Sequence, residues 1–431
     1  MKKKSPILFV DYCGIPDKYA FLARLAEALA PRRLIVVEGP RRARPEDLPD
    51  DLECLAPRRA PFHRRILRDT FVRARPFPGV VLDHFEDLTD QLTRIYRERR
   101  KNASRPRAAH DLVDAYDFTA RVVAEHRPAL ALVWNQFHPL SMAAQSAVRN
   151  HDVPVAFIEY GLLPGTLNFD FLGQMGESAV ARNAEAFAAL PVEAEDLTRA
   201  EATLDLLRSS RANRRPQPGL GHTGTVLRKR AAGRPIVLFA GHNDHASGVV
   251  PWDEHARRYH SPLYESSMHA AQDIDRIARE RGWFVLYKPH PFAARAQHLP
   301  EGDNLAVLGR VDISDCVDFA DCVVTVLSQV SYVGLVRRKP LVMLGHNQLR
   351  HTACHYRVER VEETGDVIAE ALARGLTAPQ SSASVEHVAR LLKYYLYRLE
   401  GFVPSLDTAL PAEHMAERIE AGIARGAFVD F

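Results

Sequence analysis

Short apolar runs that read as buried strands alternate along most of this chain with segments of helical apolar spacing. Residues 6–11 form one such run, followed by helical spacing over 17–29 and a second run at 34–37. A helical segment at 111–126, a run at 129–134, a helical segment at 141–150 and a run at 153–159 continue the pattern. Parallel strands need a long crossover between them, and a helix is the usual one. The alternation therefore predicts parallel α/β sheets rather than a bundle or a β-sandwich. Residues 41–107 are less regular, basic and dotted with proline, with a helix expected over 85–101.

A second series starts further on. Runs at 236–240, 284–287, 305–308, 322–326 and 341–344 are separated by helical segments at 263–281, 313–320 and 328–336. Between the two series, beyond a helix at 194–210, lies RANRRPQPGLGHTGTVLRKRAAGRP, rich in Arg, Pro and Gly and poor in apolar residues. Such a composition marks a linker. At 431 residues the chain exceeds what one core usually supports. The expected division is an N-terminal Rossmann-like domain over 1–212, a linker over 213–234, a C-terminal Rossmann-like domain over 235–395 and a helical segment over 396–431, with helices at 385–399 and 411–426. The fold class is α/β: two Rossmann-like domains facing a cleft, with C-terminal helices. Open parallel sheets bind ligands beyond the carboxyl ends of their strands, so the residues just after strands are the candidates for chemistry.

The net charge is +3, which gives no global case for nucleic acid. The positive charge is uneven, concentrated at 2–4, 32–44, 58–75 and 94–107. A solvated face explains such runs; contact with an anionic membrane leaflet or acidic polymer is the functional alternative. The five cysteines are scattered without metal-ligand spacing, as in a reducing compartment. The first apolar run is too short for a signal peptide, and no run is long enough to span a bilayer. The expected place is the cytoplasm, with the basic region available to rest on the inner face of the membrane.

Five places after strands carry polar residues. VWNQFHPLS delivers Asn135, Gln136 and His138; turn chemistry would explain them equally. FIEYGLLPGTLNFDFLGQMG carries Glu159 at the end of an apolar strand and Asp170 on what reads as an irregular loop. A carboxylate so placed is desolvated, and the two acids are candidates for base and nucleophile, unless Glu159 simply pairs with an arginine. LFAGHNDHASG brings His242, with Gly241 permitting close backbone approach. His245 and Asp244 lie nearby, without the further ligands a metal site would need. LYKPHP sets Lys288 and His290 between prolines that fix the backbone, and such a pair suits a phosphate or carboxylate. CVVTVLSQVSYVGL puts Ser328 and Gln329 at a strand-to-helix turn, with Ser328 as the expected cap. No GxGxxG fingerprint stands at the first turn of either domain, and the Asp-x-Asp at 273–275 falls inside a helical segment and not after a strand, so neither a dinucleotide nor a metal cofactor is expected.

In this order, E-x-G-x-x-P-G-T with a later D-x-x-G, K-P-H-P, S-Q-V-x-x-x-G-L and K-P-L-V-x-x-G, the motifs resemble the capsule polysaccharide biosynthesis family. These are bacterial GT-B glycosyltransferases best known for adding Kdo from CMP-Kdo. The resemblance spans residues 129–345. It implies a CMP-activated donor, a lipid-linked or oligosaccharide acceptor and a metal-independent transfer. It implies that Lys288 and His290 bind the nucleotide phosphate, that Ser328 and Gln329 hold the phosphate or the Kdo carboxylate, that Glu159 lies at the reaction centre and that Asn135 lines the acceptor side. Leu327 and Ser331 depart from residues frequent in the family. Alternatives are a CDP-polyol phosphotransferase, which usually carries Asp-Tyr-Ser-Ser where this chain has Leu327 to Val330, a UDP-sugar transferase or epimerase, and a non-catalytic sugar-nucleotide-binding subunit of a capsule assembly complex.

Overall fold

The computed structural model of the chain describes residues 4–14, 18–39, 52–57, 85–98, 104–292 and 299–431. The first sheet takes β1 (Ile7–Asp11), β2 (Leu34–Glu38), β3 (Leu52–Leu55), β4 (Leu130–Trp134), β5 (Val155–Tyr160) and β6 (Thr166–Asp170). The second takes β7 (Ile236–Ala240), β8 (Phe284–Lys288), β9 (Leu305–Val307), β10 (Cys322–Thr325), β11 (Leu341–Met343) and β12 (Tyr356–Arg357). A last strand, β13 (Leu396–Arg398), returns to the first sheet. The orders are β13-β6-β5-β4-β1-β2-β3 and β12-β11-β10-β7-β8-β9. The second sheet is parallel throughout. In the first, β1 to β5 are parallel while β6 runs against both β5 and β13.

Burial on both faces explains the continuous apolar runs. In β1, Ile7 and Phe9 join one core with Phe21, Leu25, Met415 and Ile419. Leu8 and Val10 join another with Leu92, Leu112, Ala144 and Val148. The second sheet divides in the same way, Leu238 and Leu286 on one side and Val237 and Val285 on the other.

The expected α/β fold of two Rossmann-like domains is what the chain forms. Strands β3, β6, β12 and β13 are additions to the sequence reading, and so is the antiparallel edge that β6 and β13 bring. Asp170 ends strand β6 instead of standing on a loop. The helix expected at 385–399 runs over Ala378–Tyr394, because Thr377 and Gln380 form a capping box with Pro379 in the first turn. The stretch 213–234 contains a helix, Gly221–Ala231. The stretch 396–431 carries β13 and the helix Ala412–Arg425, which lies on the helix Lys18–Leu29 and accepts through Glu420 from Arg32, in the turn after that helix, at 2.8 Å. Of the basic runs, residues 40–51 and 58–84 lie outside the described residues, and the helix expected over 85–101 is described as Phe85–Glu98. Arg32, Arg33 and Arg105 are ion-paired. No helix among the described residues is long and apolar enough to cross a membrane.

Both strand orders reverse beside their first strand, between β1 and β4 and between β7 and β10. A crevice opens at each reversal, outside the carboxyl ends. The two crevices meet: the side-chain amide of Gln329, beyond β10, donates to the Tyr160 carbonyl at the end of β5 at 3.2 Å.

Candidate active site

Glu159 sits next to last in β5, followed by Tyr160 and a tight return into β6. Gly161 makes that return possible. Its N–H donates to the Thr166 carbonyl at 2.7 Å, and a Cβ there would come within 2.0 Å of Thr166 Oγ1. The Glu159 carboxylate accepts no hydrogen bond and forms no close ion pair among the described residues, yet the guanidinium groups of Arg214 and Arg215 lie in its field. Burial pushes its pKa up to about 7, against the lowering effect of the two arginines. Burial likewise pulls Arg214 down to about 10, with Glu159 opposing. Arg214 packs over the Tyr160 ring at 4.8 Å and donates to Gln329 Oε1.

The stretch 213–217, read from sequence as part of a linker, in fact lines the cleft. Arg214 faces Glu159 and Gln329. Arg215 lies 4.1 Å from the centre of the Phe292 ring, which neighbours His290 at 5.5 Å. Gln217 Oε1 accepts from Lys288 Nζ at 3.1 Å, and Lys288 also donates to the Gly309 carbonyl at 3.2 Å. Burial lowers the Lys288 pKa. The Phe292 N–H donates to His290 Nδ1 at 3.2 Å, which leaves the proton of a neutral imidazole on Nε2. One signal for the stretch was present: an arginine pair beside a Pro-Gln-Pro that rules out helix.

Ser328 is not the helix cap the sequence reading expects. Its Oγ accepts from the Val330 N–H at 3.3 Å, but the helix runs only over Val330–Val336, with Gln329 in the cap position. Asn135 is a turn residue with φ of 57°, and its Oδ1 takes the N–H groups of Phe137 at 3.2 Å and His138 at 3.1 Å. His138 caps the following helix. Asp170 lies away from Glu159 in role. It receives the N–H groups of Leu172, Gly173 and Ala179 and the Tyr395 hydroxyl, all within 2.9 Å. Burial, with the Asp430 carboxylate beyond it, pushes its pKa up against those donors. It organises the turn after β6. His242 is buried, its Nε2 2.9 Å from Asp244 Oδ1 and its N–H on Ser267 Oγ at 3.1 Å.

A second cluster escaped the sequence reading. Glu177 Oε1 meets His255 Nε2 at 3.0 Å and His260 Nε2 at 2.9 Å, while its Oε2 takes the Gln136 side-chain amide at 2.9 Å. The three ligand-type atoms lie within 4.8 Å of one another, so a metal ion would fit the donor set. As they stand, the three groups form a hydrogen-bonded clamp, with His260 Nδ1 buried and without a partner. Burial opposes the clamp by raising the Glu177 pKa, but the two histidines outweigh it and bring the carboxyl down to about 2. Sequence spacing had no means of pairing a 3₁₀ turn of one domain with a short helix of the other. A third buried group closes the first crevice: Lys18 Nζ lies between Asp11 at 2.7 Å and Glu38 at 3.1 Å.

Two Rossmann-like domains with facing strand ends, and a charged lining drawn from both, define a protein of the GT-B type. No family model matches the chain, and no curated protein matches it. Solved structures do align with it at low identity. KpsC from Thermosulfurimonas dismutans, beta Kdo 2,4 transferase, is 15% identical, with 61% of this chain and 79% of that chain covered and a TM-score of 0.42. KpsC, beta Kdo 2,7 transferase, from the same organism is 16% identical, with 77% and 95% covered and a TM-score of 0.41. A UDP-GlcNAc 2-epimerase from Methanocaldococcus jannaschii in complex with UDP-GlcNAc and UDP is 11% identical, with 91% and 100% covered and a TM-score of 0.40.

Proposed function

We propose that the chain is a glycosyltransferase in which residues 1–212 form the acceptor side, residues 235–395 hold a nucleotide sugar, and Kdo passes from CMP-Kdo to a growing capsule or lipopolysaccharide glycan. One observation carries the reading: Glu159, a carboxyl without a bonding partner and with its pKa raised to about 7, stands in the cleft beside the arginines of 213–217. A structural carboxylate in this chain looks different, as Asp170 shows. An acid left unbonded in a crevice is placed for a reacting group.

In this reading the leaving nucleotide phosphate gains negative charge as the glycosidic bond breaks. Lys288, His290 through Nε2–H, Arg214 and Arg215 supply the compensating positive charge from a fixed, partly desolvated lining. Gln217, which holds Lys288, would yield that ammonium to a phosphate oxygen. The anomeric carbon becomes cationic, and Glu159 either removes the acceptor hydroxyl proton or attacks that carbon. A pKa near the working pH suits proton removal. Gln329 stays between the domains as a hydrogen-bond partner for donor or backbone. Ser328 Oγ, His242 and Asn135 are held in local bonds, and their role is to shape the pocket wall. The basic N-terminal region would meet an anionic membrane or lipid-linked acceptor; flotation with liposomes that showed no preference for anionic lipid would remove that part.

The test is a thermal-shift panel of CMP, CDP, UDP and GDP. A nucleotide at about 100 times its dissociation constant stabilises by about 2.7 kcal/mol. A rise with CMP alone is the expected result. A rise with none of the four would refute the reading, and a rise with UDP or CDP alone would reassign the donor.

A further inference from the structure

Arginines in this protein are usually paired with acids: Arg276, Arg279, Arg337 and Arg360 each meet a carboxylate within 2.6 Å. Three neighbouring arginines beside the Glu177 clamp are exceptions. Arg182, Arg258 and Arg350 form no ion pair among the described residues. Two of them lie over one aromatic ring and the third joins them through the backbone of Arg258. The Tyr259 ring lies 5.7 Å from the Arg182 guanidinium and 5.3 Å from that of Arg258, with the His255 ring at 4.9 Å. Arg350 Nη1 donates to the Arg258 carbonyl at 3.4 Å, and its Nε is buried with no hydrogen-bond partner. Arg357 and His351 add to the same field. Glu359 is bound to Arg357 at 2.8 Å and reaches Arg350 only through its field, without an ion pair.

Like charges gathered without a paired carboxylate repel one another, and a buried guanidinium N–H without a partner adds a desolvation cost. A chain with 54 acidic residues had carboxylates available to relieve both. The arrangement instead suits a ligand that brings the anion. Guanidinium groups bind carboxylate and phosphate through paired N–H donors, and stacking on the Tyr259 ring holds two of them in place. Arg182 comes from the first domain, and Arg258 and Arg350 from the second, so the patch lies on the junction of the two.

We infer that the patch of Arg182, Arg258, Arg350 and Tyr259 binds an anionic saccharide, the acid-bearing end of the acceptor chain. This rests on the reading of the protein as a sugar transferase. The site is separate from the Lys288 and His290 lining, so the acceptor is recognised by charge at a place apart from the nucleotide.

The test uses the full chain and fluorescently labelled hexagalacturonate, with neutral maltohexaose as the control, in physiological salt. Hexagalacturonate should bind and maltohexaose should not. Arg258→Ala and Arg182→Glu, both at exposed positions, should each weaken binding about tenfold or more, as for loss of a charge-assisted contact, and leave stabilisation by CMP unchanged. Equal binding of the two saccharides, unaltered binding by both variants, or binding only to inorganic phosphate or to phosphatidylglycerol vesicles would overturn the inference. Saccharide binding without any nucleotide stabilisation would leave the patch standing and sink the transferase reading instead. Nucleotide stabilisation without saccharide binding would do the reverse.

Discussion

The Glu177 carboxylate and the His260 imidazole meet at 2.9 Å where the two domains join. His260 is fully buried, and Glu177 is nearly so. Removing the carboxylate leaves the His260 Nε2–H and the Gln136 amide facing no acceptor. Glu177→Ala should cost about 3 kcal/mol, as for leaving buried donors without their charged acceptor. Scanning calorimetry should show a lowered transition, split into two as the domains lose their coupling. An unchanged thermogram would mean that the clamp contributes nothing to the junction.

Gly176, one residue earlier, brings the two domains into close backbone contact. A Cβ there would fall 1.6 Å from the Tyr259 carbonyl oxygen and 3.1 Å from His346 Cβ. The obstacle is backbone, which cannot swing aside as a side chain does. Gly176→Ala should therefore force the domains apart at this point and cost about 3 kcal/mol or more, at or above the upper end for overpacking. Small-angle scattering should show an expanded particle at temperatures where the variant remains folded. A variant with wild-type stability and dimensions would contradict the tight junction.

Glu159 gives a pH test with a definite sign. Its carboxyl is held at about 7 in the folded chain against 4.5 when free, because burial disfavours the charged form. The folded state therefore binds this proton more tightly than the unfolded state. The resulting stability is complete below about 4.5 and is lost as pH rises through about 7. Glu159→Gln removes the term. Plotted from pH 4 to pH 8, the wild-type midpoint should fall relative to that of the variant, with most of the change between those two values. A constant difference would show that the carboxyl is not raised. In activity, turnover should climb with pH through the same range, and the variant should lose at least about a hundredfold while still binding nucleotide.

Legibility in the sequence followed the range of the interactions involved. The strands β1, β2, β4, β7 and β8 were plain because every residue in them is buried, and continuous apolar runs need no partner to be recognised. β13 was not, since LYR becomes a strand only by pairing with β6 more than two hundred residues earlier. Glu159 could be singled out because it ends an apolar run. Asp170 was placed on an irregular loop by its Gly and Pro neighbours, whereas its bonding to Tyr395 and to three backbone N–H groups depends on contacts that no local pattern carries. Arg214, Arg215 and Gln217 were passed over as linker because their composition is that of a linker; their position in the cleft comes from the way the two sheets face each other.

The last prediction separates two roles in Lys-Pro-His-Pro. Lys288 is buried and already bonded to Gln217 and Gly309, so Lys288→Ala opens a void and frees both acceptors; it should lower both stability and nucleotide binding. His290 is only partly buried, and its Nδ1 bond to the Phe292 N–H is local. His290→Ala should keep the wild-type melting midpoint without ligand and lose the stabilisation by nucleotide. The two variants thus predict opposite patterns in the ligand-free scans. If His290→Ala still shifted with nucleotide as the wild type does, the imidazole would be a turn residue and the phosphate role would fall to Lys288 and the two arginines alone.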